Sequence, residues 1–353
     1  MIVSILVFLA VLSVLVLVHE LGHFLAARKA GIGVIEFGFG LPPKIWGKKI
    51  GETTYSINAL PIGGFVKLVG EDQEEIEVQK GDRERAFFAK SKMVRTLVVI
   101  AGVVMNFLLA IVVFTFLYAK LGVPTKTDEV YIVGVAKGSP AEQVGLVDQD
   151  RIVKIKFQDV EKEIGTTDDF IDTTKQAKGE EIELTVLRGT EQLTFKLTPR
   201  DSPPPGEGPL GVAISSVVPK FYPWWQMPFR ASYYGISEAL GWTRLIVVGL
   251  GRLLGQLIFQ CKIPAYVSGP VGIFQVTSEV AKTGWVNLLQ LVGILSVNLA
   301  VLNILPFPAL DGGRLLFIGL ESVFGRKVAP KYERWVHSVG LAILVGLILM
   351  ITY

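Results

Sequence analysis

The chain is 353 residues long and 50% hydrophobic, with a mean hydropathy of +0.49. That is too apolar for an ordinary soluble domain of this length and predicts a membrane protein, while 19% charged residues leave enough polarity for a water-facing domain. The net charge of +3 is too small for a nucleic-acid partner, and the single cysteine, Cys261, excludes an internal disulfide framework.

Met1 to Val18 is an uncharged run that, continued to about Leu25, is long enough to cross a bilayer as a helix. No Lys or Arg precedes it, which favours a span over a cleaved signal peptide. Glu52 to Leu68 alternates in a β-like way around Pro61-Ile-Gly-Gly64, within a membrane-associated β-loop expected over about 34–70; it reads as an ordinary hairpin or as an open strand edge that pairs with an extended substrate. Thr96 to Tyr118, 23 residues without a charge, is a second span. In residues 125–200, short β-branched runs (Tyr131–Val135, Ile152–Ile155, Ile182–Leu187, Leu193–Leu197) alternate with turn residues around one polar helix, about Asp168–Lys178. They predict an inserted α+β domain, closed by a Pro/Gly linker at Asp201–Gly211.

In the rest of 201–285, Leu245–Phe259 carries Arg252 at its centre, which would cost about 2.5–3.5 kcal/mol in a spanning helix. With Arg244 and Gln256 beside it, it is predicted to lie in the membrane interface as an amphipathic helix. A third span covers about 286–308 and a fourth about 336–352. The predicted fold class is therefore a mainly α polytopic membrane protein of about four transmembrane helices. Its first membrane half, 1–118, carries a membrane-associated β-hairpin, and the inserted domain lies between that half and the second, 286–353.

Loop charges set the orientation. Twelve Lys and Arg lie between Arg28 and Arg95 and five between Arg314 and Arg334, whereas none precedes the first span. By the positive-inside rule both clusters are cytoplasmic, and Lys120–Trp285 lies outside.

His19-Glu20-Leu21-Gly22-His23 is an HExxH pattern. On a helix, residues i and i+4 share a face, so both imidazoles reach one ion, while Glu20 is offset beside it to take a proton from a bound water. Two of the chain's three histidines form this motif, inside an apolar span where ionisable groups are functional candidates by default. His337 starts the last span beside Trp335 and reads as an interfacial anchor. A catalytic zinc needs a third protein ligand and an open position. Asp311, at the inner end of the third span in Asn303-Ile-Leu-Pro-Phe-Pro-Ala-Leu-Asp-Gly-Gly313, is the candidate, because spans one and three run in the same direction and bring it to the depth of His19 and His23. Read alone, Asp311-Gly312 would be a helix-ending turn.

Together, HELGH in the first span and Asn-x-x-Pro-x-Pro-x-Leu-Asp-Gly-Gly in a late one resemble the site-2 protease family of intramembrane metalloproteases. Gly38-Phe-Gly40, Ala59–Lys67, Ala101-Gly-Val-Val-Met-Asn106 and Ser268-Gly-Pro-Val-Gly272 resemble its bacterial, RseP-like branch. The resemblance implies Zn2+ held by His19, His23 and Asp311, Glu20 as catalytic base, and Asn298 and Asn303 as substrate-binding residues. It further implies cleavage of single-span membrane proteins, such as anti-sigma factors or remnant signal peptides, in the lipid bilayer of a bacterial cytoplasmic membrane. The zinc site would then lie in the cytoplasmic leaflet. Gly138–Leu146 and Asp150–Ile155 resemble the start of a PDZ domain, a module that takes peptide C-termini; Gln149 stands where such domains often have Gly, and Val103 where the family has Pro. For Asn106, helix packing and a functional role are equally matched.

Two other classes fit parts of this pattern. A catalytically inactive scaffold with a PDZ module has no need of Glu20 beside its metal. A transporter using intramembrane His and Asp predicts repeated halves, which the sequence lacks.

Overall fold

A computed structural model describes residues 2–71, 80–260, 269–325 and 330–352. It divides into two compact units, residues 1–120 with 228–353, and residues 121–227.

The first unit begins with α1 (Ile2–Lys29), a helix that neither Pro nor a charge interrupts before His19. It stops at Gly31, whose φ of 66° suits only a residue without a Cβ penalty; the Ile32 N–H bonds the Ala27 carbonyl and the Gly31 N–H that of Arg28, closing the end. Next come β1 (Val34–Ile50) and β2 (Thr53–Leu68), an antiparallel pair. The expected simple hairpin is doubled on itself. Gly38 faces Phe65 on one side and Ser56 on the other, and Lys44–Ile50 pairs the far edge of Thr53–Asn58. Four short runs thus lie in the order 60–68, 34–41, 53–58, 44–50. The 60–68 run is an edge and lies along α1: the Ser13 hydroxyl donates to the Pro61 carbonyl (3.0 Å), and a Cβ on Gly63 would touch Val16.

α2 (Lys92–Leu121) crosses α1 at close range, since a Cβ on Gly22 would lie 2.3 Å from the Ala101 carbonyl oxygen. Small residues at such crossings are how helices approach where burial of apolar surface gives no driving force.

In the second unit, β3 (Val123–Val135), α3 (Pro140–Gln143), β4 (Arg151–Phe157), β5 (Val160–Glu163), α4 (Thr167–Gln176), β6 (Ile182–Arg188), β7 (Glu191–Leu197) and β8 (Val212–Lys220) form a sheet of order β7-β6-β4-β3-β8, with β5 on β4. The four predicted strands fall within β3, β4, β6 and β7, and the predicted polar helix overlaps α4, which ends two residues earlier, at Gln176. Residues Ile132, Ile155, Leu184 and Val186 alternate inward and are fully buried. β8 follows the linker that was expected to close the domain. It pairs with β3 from Val123↔Lys220 to Val135↔Val212, so the compact unit runs to residue 227. Gln149, in the position where Gly was the expected residue, adopts φ 73°. The turn is kept by its neighbour: buried Asp150 accepts two bonds from Arg188 (both 2.7 Å) and one from the Val147 N–H.

Back in the first unit, α5 (Met227–Gln260) is one 34-residue helix, and the amphipathic stretch 245–259 is its second half. Ala231, Gly235 and Ala239, four residues apart, turn a buried stripe inward; a Cβ on Gly235 would lie 2.5 Å from the Thr115 hydroxyl of α2. α6 (Pro270–Thr283) meets α1 through an edge-on Phe8–Phe274 contact. α7 (Trp285–Asn303), α8 (Asp311–Phe324) and α9 (Pro330–Thr352) complete the unit. Among the described residues, α1, α2 and α7 are long and apolar enough to cross a membrane. The fourth expected span falls inside α9.

Asp311 is not on the third span. Pro306 and Pro308 end α7 at Asn303, because a proline lacks the N–H and clashes with the preceding turn. The chain turns through 304–310, and Asp311 is the first residue of α8. The fold-back is tight: a Cβ on Gly312 would lie 1.9 Å from the Leu305 oxygen, and one on Gly313 2.6 Å from that of Phe307.

Candidate metal centre

His19 and His23 lie one turn apart on α1, with ring centroids 4.7 Å apart. Asp311 reaches them from α8. Its Oδ2 is 3.0 Å from His19 Nε2 and 3.2 Å from His23 Nε2, and the two Nε2 atoms are 3.2 Å apart. Ligands held 2.0–2.1 Å from a tetrahedral ion sit about 3.3 Å from one another, so this triangle has the size zinc requires.

The protonation of the group supports the same reading. His23 Nδ1 is 2.9 Å from the Val98 carbonyl, which only accepts, so Nδ1 carries a proton and, in the neutral ring, Nε2 presents a lone pair. Asp311 Oδ2 is buried without a hydrogen-bond partner. Two imidazole Nε2 atoms and a carboxylate oxygen converge in a largely buried site, a donor set that a cation would satisfy. The residues therefore fit a zinc ion.

The face of α2 opposite the motif is shaped for these rings. A Cβ on Gly102 would lie 2.4 Å from His23 Nε2 and 2.7 Å from His19 Cε1. Asn303, at the end of α7, points its Nδ2 at His19 Nε2 from 3.3 Å. Asn298, five residues earlier on α7, makes no side-chain hydrogen bond among the described residues.

Glu20 and His23 open onto a cavity of about 740 Å³, also lined by Phe65, Asp311, Arg314 and His337. The main chain of Val66, in the 60–68 edge, hydrogen-bonds the Glu20 carboxylate. A Cβ on Gly64 would lie 3.7 Å from Glu20 Cγ.

His337, read from the sequence as an interfacial anchor, makes a specific contact. Its Nδ1 accepts the Ala309 N–H (2.9 Å) in the turn that delivers Asp311, and Gly340, one turn on, lets α9 close on Pro308. The only sequence signal was that it is the one histidine outside the motif. A second brace joins α2 to α8, where Arg95 donates to Glu321 at 2.6 Å with both side chains buried.

An HExxH helix closed by a distant aspartate, with the glutamate facing a cavity, is the site of a zinc peptidase, here within a helix of membrane-spanning length. Residues 7–347 match Peptidase family M50. The Clostridium perfringens protein CPE1693 is 36% identical over 343 residues, covering 96% of this chain and 94% of that protein. Zinc metalloprotease RasP of Geobacillus kaustophilus is 32% identical, covering 99% of this chain and 97% of RasP. Regulator of sigma-W protease RasP of Bacillus subtilis is 30% identical with the same coverage. The chain belongs to Peptidase family M50, the site-2 protease family, and is a zinc-dependent membrane metalloprotease.

Proposed function

We propose that this chain is an intramembrane endopeptidase that cuts single-span membrane proteins, with His19, His23 and Asp311 holding the zinc and Glu20 acting as base. The observation that carries the reading is the convergence of three ligand atoms, contributed by α1 and α8, beside a cavity that Glu20 and a strand edge share. Zinc bound there supplies a Lewis acid and lowers the pKa of a water toward neutrality. Glu20 takes the proton from the attacking water and hands it to the leaving amine. Asn303, whose amide already points into the triangle, donates to the substrate carbonyl oxygen as charge develops on it; Asn298 holds the substrate further along α7.

A helical substrate hides its backbone in its own hydrogen bonds. The 60–68 edge, beside Glu20, accepts an unwound segment as an added strand. The topology that fits the charge asymmetry has the zinc in the cytoplasmic leaflet, α9 as the fourth span, and residues 121–227 outside as a PDZ-like unit that takes peptide C-termini. The name of the Bacillus subtilis relative, regulator of sigma-W protease, supports a membrane-bound regulator of a sigma factor as the substrate class.

The test is zinc per chain beside the cleavage rate of a single-span substrate in reconstituted vesicles. Glu20→Gln keeps the shape but cannot accept a proton; it retains zinc and loses about 10²–10⁴ in rate. Asp311→Ala loses both. Zinc lost by Glu20→Gln and kept by Asp311→Ala would overturn the assignment.

A further inference from the structure

The two histidines of the motif need the same thing from their surroundings. A neutral imidazole that binds a cation through Nε2 must keep its proton on Nδ1, and that N–H needs an acceptor. For His23 the acceptor is visible, the Val98 carbonyl of α2. For His19 the group at Nδ1 is the side-chain amide of Asn106, 3.4 Å away and also on α2. Val98, Gly102 and Asn106 are spaced by four residues, so one face of α2 presents a carbonyl, a gap and an amide to the two rings.

Asn106 is fully buried, and its Oδ1 has no hydrogen-bond partner. Its main-chain carbonyl accepts the Ser296 hydroxyl of α7 at 2.7 Å, which locks the residue between helices. The amide's oxygen and nitrogen exchange places by a half-turn about the terminal bond. With Nδ2 toward the ring, His19 Nδ1 would have to accept and Nε2 would carry the proton. Nε2 is the atom that faces Asp311 Oδ2 and His23 Nε2. A cation there selects the other orientation, in which Oδ1 accepts the Nδ1–H.

We propose that Asn106 is a positioning residue for the zinc site: its amide oxygen fixes the His19 tautomer and ring direction, as the Val98 carbonyl does for His23. This rests on His19 ligating zinc through Nε2. Outer partners of metal-binding histidines are worth about 10–100-fold in metal affinity.

The experiment measures zinc affinity by competition with a chelator, on full-length protein in detergent, for Asn106→Leu and Asn106→Asp. Leu fills similar space without an acceptor and weakens zinc about 10–100-fold. Asp restores an acceptor and holds zinc within a few-fold of the wild type. Nitrogen-15 shifts of the His19 ring report Nδ1–H and Nε2 ligation in wild type and in the Asp variant. Equal losses in Leu and Asp, an unchanged affinity in Leu, or ligation through Nδ1 would each overturn the role of Asn106 while leaving the metal centre standing. A wild-type chain that takes up no zinc sinks the metal centre, and this role with it. Should the Leu variant fail to fold, the Asp variant and the ring shifts decide alone.

Discussion

Adding one methyl group at Gly102 tests how closely the α1–α2 crossing fits the metal site. Alanine is the better helix former by about 1 kcal/mol, so nothing in local propensity opposes Gly102→Ala. Its Cβ, however, would sit 2.4 Å from His23 Nε2, 2.6 Å from His23 Cε1 and 2.7 Å from His19 Cε1, where ordinary contact begins near 3.4 Å. The nearest atom is the nitrogen proposed to hold the zinc, and the Val98 carbonyl fixes the other side of that ring. The ring must retreat by about 1 Å, several times the roughly 0.2 Å tolerance of a metal–ligand distance. The expected result is a fall in zinc affinity of at least about 100-fold, beyond the usual effect of outer-sphere changes, with proteolysis lost in parallel and thermal stability of the zinc-free protein nearly unchanged. Chelator competition on purified protein reads the first, and Gly241→Ala, where a Cβ meets nothing within 4 Å, is the control. Wild-type zinc affinity in Gly102→Ala would refute the claim that this gap exists for the imidazoles.

Removing the charge of Arg95 leaves Glu321 buried and unpaired, so Arg95→Met should cost about 3–5 kcal/mol, whereas Arg95→Met with Glu321→Leu recovers most of it. Thermal unfolding with a zinc assay checks this; a double variant as unstable as the single one contradicts it, and because α8 begins at Asp311 the single variant should also bind zinc more weakly. In the 121–227 unit, burial pushes the Asp150 carboxyl up, but the Arg188 bonds and the Val147 N–H outweigh it and hold the pKa below the usual value of 3.8. The pair's stabilisation is then complete above about pH 4 and is lost as pH falls through the lowered pKa. Arg188 is 37% exposed, so Asp150→Asn should cost nearer 1.5 than 3 kcal/mol at neutral pH and flatten the acid limb, read by hydrogen exchange of β4 and β6 amides.

What the sequence alone determined is local. HExxH places two imidazoles on one face by the helical repeat, with no help from the rest of the chain, and uninterrupted apolar length makes α1, α2 and α7 readable as spans. Alternation likewise marked β3, β4, β6 and β7. What only the tertiary structure decided concerns partners far apart in the chain. Asp311 is legible as a candidate ligand at the inner end of the third span, but its place as the first residue of α8 is not, because the proline turn that puts it there depends on Gly312 and Gly313 tolerating carbonyls at close range. The 60–68 run was seen as β without its four-run order, since strand alternation names a face and not a neighbour. β8 lay beyond a linker that looked like a boundary, and only its pairing with β3 keeps it in the unit. Nothing local in the sequence marks which partners His337 and Asn106 take. Each meets its partner across 28 or 87 residues of chain, and side-chain partners at such separations are set by how helices pack, which no short period in the sequence records.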